Sequence, residues 1–142
     1  MIGIDTNILV RYIMQDEPEQ SKQVTQFIEK TIYTEGTLIF INSIVLCELV
    51  WVLETAYEYS RQEIVNILEK ILKIRQFHIY QPEIVRASLH DYRNLSVDFS
   101  DSYIAYLNEL NDCEYTVTFD KKAARLKNFK LLGNKKFSLS EI

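Results

Sequence analysis

Short apolar runs that alternate with longer stretches of helical periodicity constrain this chain more than any other feature of its sequence. Ile2 to Asp5, Thr37 to Ile41, Phe77 to Tyr80 and Tyr115 to Phe119 each read as a strand. Between the first two, Asn7 to Met14 places Ile8, Leu9, Tyr12 and Ile13 on one side of a helix, and Pro18 opens a second that carries Val24, Phe27, Ile28 and Ile32. Ser43 is a candidate N-cap for a long apolar helix from Ile44 to about Tyr57. Ser60 is another, opening an amphipathic helix with Ile64, Ile67, Leu68, Ile71 and Leu72 on its apolar face. Pro82 starts a helix to about Arg93, and Phe99 to Leu110 forms a further one. Leu131 to Ile142 is ambiguous, with room for one short edge strand. Strands separated by helices predict an α/β fold with a mainly parallel central sheet of four to five strands and helices on both faces.

The chain has 142 residues, 47% of them hydrophobic, which suits one domain with a single core. Three Gly and two Pro leave little punctuation for an internal boundary, so residues 1–142 are read as one domain. The opening Met1-Ile2-Gly3-Ile4-Asp5 lacks the features of a secretory signal, and the most apolar stretch, Thr37 to Leu53, is broken by Asn42, Ser43 and Glu48. It is shorter than the roughly 20 residues a membrane span needs. A cytoplasmic protein with no membrane partner is expected. Cys47 and Cys113 form neither a disulfide framework nor a metal-ligand pair and are read as buried thiols.

In parallel sheets of this kind the functional site lies at the carboxyl ends of the strands, which is where Asp5 and Asp120 stand. Glu48 lies in Ile44-Val45-Leu46-Cys47-Glu48-Leu49-Val50-Trp51-Val52-Leu53, a helix apolar nearly all round, and such a helix is expected to be buried. An ionised Glu there must be paired, protonated or metal-bound, unless it occupies an exposed stripe. Asp98 and Asp101 flank the start of the helix at Phe99. The ordinary cap or dipole role is assigned to Asp98, whereas Asp101, a turn inside, can point toward the strand ends. Asp120 is either a turn residue opening a short helix at Lys121 or a member of the site. Asp5, Glu48, Asp101 and Asp120 all map to one edge of the expected sheet. Two carboxylates about 6 Å apart repel by roughly 3 kcal/mol at an effective dielectric near 20, so such a cluster implies a divalent cation or raised pKa values. Oxygen ligands without a His or Cys cluster select Mg²⁺ or Mn²⁺ rather than zinc, and His78 and His90 are read as surface or packing residues.

The formal net charge of −4 argues at first against a nucleic-acid partner, but the distribution is uneven. Lys121, Lys122, Arg125, Lys127, Lys130, Lys135 and Lys136 fall within one stretch that contains no Asp or Glu.

These motifs resemble the PIN-domain ribonucleases, and within them the VapC-type toxins of bacterial toxin–antitoxin pairs. Ile4-Asp5-Thr6-Asn7-Ile8-Leu9 is similar to that family's first acid motif, and Val45 to Leu53 to the helix bearing its second. Asp98-Phe99-Ser100-Asp101 is similar to the third, in which the second Asp is the ligand, and Thr118-Phe119-Asp120 to the fourth. The resemblance spans nearly the whole chain. It implies that Asp5, Glu48, Asp101 and Asp120 bind one or two Mg²⁺ or Mn²⁺ ions, with Asn7, Ser43 and Thr118 holding the carboxylates. It implies metal-assisted hydrolysis of RNA phosphodiesters, leaving a 5′-phosphate and a 3′-hydroxyl, with Lys121, Lys122 and Arg125 as RNA contacts. A homodimer and a cognate antitoxin that places a basic segment in the site are implied as well. A PIN-like fold kept as a non-catalytic binding module is the alternative. A receiver-type signalling domain would need adjacent acids after its first strand, and an Asp-nucleophile phosphatase would need an acid where Asn7 stands.

Overall fold

A computed structural model describes residues 1–133. The chain divides into two compact units, the first Met1–Pro82 and the second from Glu83 onward. Its architecture is mixed α/β, with every strand pairing among the described residues parallel.

The first unit runs β1 (Ile2–Gly3), α1 (Thr6–Met14), α2 (Pro18–Glu29), β2 (Ile39–Ile41), α3 (Ser43–Thr55), α4 (Arg61–Lys73) and β3 (Phe77–Ile79). Its sheet has the order β1-β2-β3, with Ile2 opposite Ile39 and Ile39 opposite Phe77. Side chains alternate along a strand. Ile39, Ile41, Phe77 and Ile79 therefore share a buried face, while the opposite face carries half-buried Phe40 and exposed His78, their rings 5.9 Å apart. β1 is shorter than the predicted Ile2 to Asp5, because Asp5 already serves as N-cap of α1, its side chain accepting from the Ile8 N–H at 3.1 Å. Pro18 takes the first turn of α2 as predicted, and one turn of π-helix, Lys30–Thr34, follows before Gly36 reverses the chain at φ +65.

Two helix starts test the capping expectations. Ser60 does cap α4, accepting from the Glu63 N–H at 3.2 Å. Ser43 does not cap α3. Asn42 occupies that position, its side chain accepting from the Val45 N–H at 3.0 Å, and Ser43 is the first helical residue. The correction is one residue, and Asn is as good a cap as Ser.

The second unit contains most of α5 (Pro82–Asn94), then α6 (Phe99–Leu110), β4 (Thr116–Thr118), a 3₁₀ turn (Ala123–Arg125) and β5 (Phe129–Leu131). β4 and β5 pair in parallel, with Val117 opposite Lys130. The five strands among the described residues thus form a three-stranded and a two-stranded sheet, one in each unit, where the sequence suggested one sheet of four to five. A short last strand does form, but at Phe129–Leu131. Lys135, Lys136 and the rest of 134–142 lie outside the described residues.

Val97, Ala105, Ala123, Leu126 and Phe129 form an apolar cluster, and Phe99 packs edge-on against Tyr92 and tilted against Tyr103. Buried Asp91 on α5 accepts from Ser102 Oγ and Tyr106 Oη on α6, both at 2.8 Å. Among the described residues no helix is long and apolar enough to cross a membrane.

Candidate functional site

In the second unit, three carboxylates converge. Asp98 stands at the N-cap position of α6, Asp101 lies in its first turn, and Asp120 follows β4. Residues three apart share a side of a helix, which brings Asp98 beside Asp101. Each of the three offers an oxygen, and these oxygens all lie within 4.8 Å of one another. Asp98 makes no side-chain cap bond despite its position. Its carboxylate joins the cluster, a role the sequence reading passed over, although the Asp-x-x-Asp spacing at a helix start was the available signal.

Asp101 is half-buried, whereas Asp98 and Asp120 are exposed. Burial is the main reason its carboxyl pKa is pushed up, with the charges of Asp98 and Asp120 adding to it. Two local bonds fix Asp120. Thr118 Oγ1 accepts from the Asp120 N–H at 3.0 Å, and Asp120 Oδ1 accepts from the Lys122 N–H at 2.8 Å. Thr118 therefore fixes the backbone at Asp120, and the bond is to the main chain and not to the carboxylate. Asp120 is both a turn residue and a cluster member. Lys121, Lys122 and Arg125 follow it, all exposed.

In the first unit, exposed Asp5 ends the β1 segment, and Glu48 lies on α3. Glu48 Oε2 accepts from the hydroxyl of buried Thr6 at 3.1 Å. Of the two positions open to Glu48, the exposed stripe is the one observed, because α3 is not buried all round. Ile44 is 67% and Trp51 65% exposed, and Glu48 is exposed between them. Helical spacing puts all three on one side. Thr6, absent from the residues read as supports, hydrogen-bonds to Glu48. Asn7 is exposed and Ser43 half-buried. Burial raises the Cys47 thiol to about 11, as suits a half-buried cysteine, but Cys113 is exposed, contrary to its reading as a buried thiol.

Three carboxylates with no His or Cys among them are a hard-oxygen donor set, and burial together with their mutual charge raises the Asp101 pKa. Both features fit a divalent cation such as Mg²⁺ or Mn²⁺. The positive end of α6 points at the same place and eases the repulsion.

Comparison with known proteins gives two findings. The PIN domain family model matches residues 2–128. A VapC ribonuclease of Aquifex aeolicus (strain VF5) is 26% identical over 123 residues, which cover 87% of this chain and 90% of that protein.

Proposed function

The chain belongs to the PIN domain family, and from that premise we propose that it is a divalent-metal-dependent endoribonuclease acting as the toxin of a toxin–antitoxin pair. The observation that carries this reading is the convergence of Asp98, Asp101 and Asp120 within 4.8 Å. Asp101 and Asp120 hold the ion, joined by Asp98. Asp5 and Glu48 keep the ligand roles that their motifs imply. The match across residues 2–128 supports treating the chain as one PIN-like domain.

When bound, a divalent cation neutralises charge developing on the phosphate and acidifies a water. The chain's own residues prepare that chemistry. The Lys122 N–H sets the direction of the Asp120 carboxylate while Thr118 fixes the Asp120 backbone, and the Thr6 hydroxyl orients Glu48. Lys121, Lys122 and Arg125 take up the flanking phosphates of a single strand, where the excess of negative charge nearby would otherwise repel it. The proposed partners are RNA, a cognate antitoxin with a basic segment and a second copy of this chain, in the cytoplasm. A basic segment complements an acid-lined site electrostatically.

Purified protein incubated with a mixed cellular RNA pool is expected to cut it with Mg²⁺ or Mn²⁺ and not with EDTA. Asp101→Asn should be inactive, by a factor on the order of a hundred or more if the charge of a metal ligand is lost. Equal behaviour of the two proteins with every metal would sink the reading and favour a non-catalytic binding module.

A further inference from the structure

Phe119 stands between Thr118 and Asp120, one residue from the acid cluster, and its side chain is 67% exposed. An aromatic ring of that size left in water beside a charged cluster contributes nothing to the core. It is also not isolated. Tyr115 is 43% and Val117 51% exposed at alternate positions along the same segment. Lys130 belongs to the same face, since it pairs with Val117 in the β4–β5 register and its Nζ lies 4.1 Å from the centre of the Tyr115 ring. The exposed face of this small sheet thus presents Tyr115, Val117 and Lys130, and exposed Phe119 follows the end of its strand, directly before Asp120.

The charges that follow Phe119 in the sequence, with Lys130 on the face itself, select its occupant. Between Lys121 and Leu131 there are five cations, Lys121, Lys122, Arg125, Lys127 and Lys130, and no acid. A polyanion with flat apolar groups matches both halves of the surface. Single-stranded nucleic acid has that chemistry, because its unpaired bases stack on aromatic rings while its phosphates meet Lys and Arg. Tyr115 and Phe119 are four residues apart, about 13 Å of extended chain. That exceeds three stacked base steps of about 3.4 Å, so the two rings serve different nucleotides.

We infer that Phe119 is a stacking platform for the nucleobase next to the phosphate held at the acid cluster, with Tyr115 and Lys130 engaging the strand further along. The inference rests on the ribonuclease reading and adds to it a contact that grips a base without reading its edge. Stacking of this kind tolerates any base. Phe119 binds substrate, and the acids remain responsible for the cut.

The test uses the full chain carrying Asp101→Asn, so that RNA is bound but not cut, and a fluorescein-labelled random-sequence twelve-nucleotide RNA with Mg²⁺. Adding Phe119→Ala should weaken binding about tenfold, the loss expected for one stacked base. Phe119→Trp should restore it, and the slope of binding against salt should stay unchanged, because no phosphate contact is removed. A 2-aminopurine placed along the strand should be quenched at one position and released by Phe119→Ala. Equal affinity of the Phe119→Ala protein, no recovery with Trp or an altered salt slope would each overturn the inference. If the wild-type protein cuts the RNA pool while Phe119→Ala binds normally, stacking alone fails. If the wild-type protein neither cuts nor binds RNA, the ribonuclease reading fails and takes the inference with it.

Discussion

Asp101 is the residue on which electrostatic cost and function meet. Its carboxyl is pushed above its ordinary value of 3.8, first by burial and then by Asp98 and Asp120. A carboxyl with a raised folded-state pKa stabilises the fold when protonated. That contribution is complete below 3.8 and is lost as the pH rises through the raised value. At neutral pH the metal-free protein therefore carries an unfavourable charge at this position, which Asp101→Asn removes. The variant should melt at a higher temperature than wild type at neutral pH in EDTA, and the difference should close as the pH falls below the ordinary carboxylate range. Calorimetry across that window is the measurement, and a lower Tm for the variant at neutral pH would mean that Asp101 is held by a stabilising partner. The same titration bears on the ion, because metal ligation needs the ionised form and should weaken as the pH falls through the raised pKa.

At the scale of elements, α6 carries Asp101 and begins just after Asp98, and a hydrogen-bonded clip ties it to α5. Asp91 is 8% exposed and accepts from both Ser102 and Tyr106, and burial with that hydrogen bond raises the Tyr106 pKa to about 12. Asp91→Ala leaves two hydroxyls without their acceptor, at about 1–3 kcal/mol for each buried one, so a loss of about 2–4 kcal/mol is expected in urea unfolding. Asp91→Asn keeps an acceptor and should lose less. Ser102 adjoins Asp101, so the Ala variant should also bind metal more weakly. This clip was not legible in the sequence, which puts Asp91 and Tyr106 on two separate helices without showing that they meet. The helices themselves were legible. Phe99–Leu110 and the Ser60 cap emerged from periodicity and local chemistry, which act over one turn. What local pattern could not decide was burial. In α3, Ile44 and Trp51 look like core residues, and only the packing shows that they flank Glu48 on an open stripe. Asp98 was passed over for a related reason, because a cap and a ligand occupy the same position and differ only in where the carboxylate turns.

For the molecule as a whole, the charge distribution and the acid cluster make opposing demands. A net charge of −4 disfavours a polyanionic partner, and the cluster concentrates that charge where RNA is proposed to be cut. In the proposed reading Lys121, Lys122 and Arg125 answer this locally, and a bound cation would answer it at the cluster itself. The cation should then stabilise the fold as well, since the ligand set exists only when Asp98, Asp101 and Asp120 are brought together. A ligand that binds only the folded state adds about 2.7 kcal/mol at a hundred times its Kd. For a chain of this size each kcal/mol is worth roughly 2–4 °C. Saturating Mn²⁺ or Mg²⁺ should therefore raise Tm by roughly 5–10 °C, EDTA should reverse the shift, and Asp120→Asn should abolish most of it. Calcium-free and zinc-free buffers make the comparison specific to the added ion. A shift that persists in Asp120→Asn would place the ion away from the three aspartates. A shift absent from the wild-type protein would leave the repulsion at the cluster without a counter-charge, and the metal-dependent reading with no physical basis.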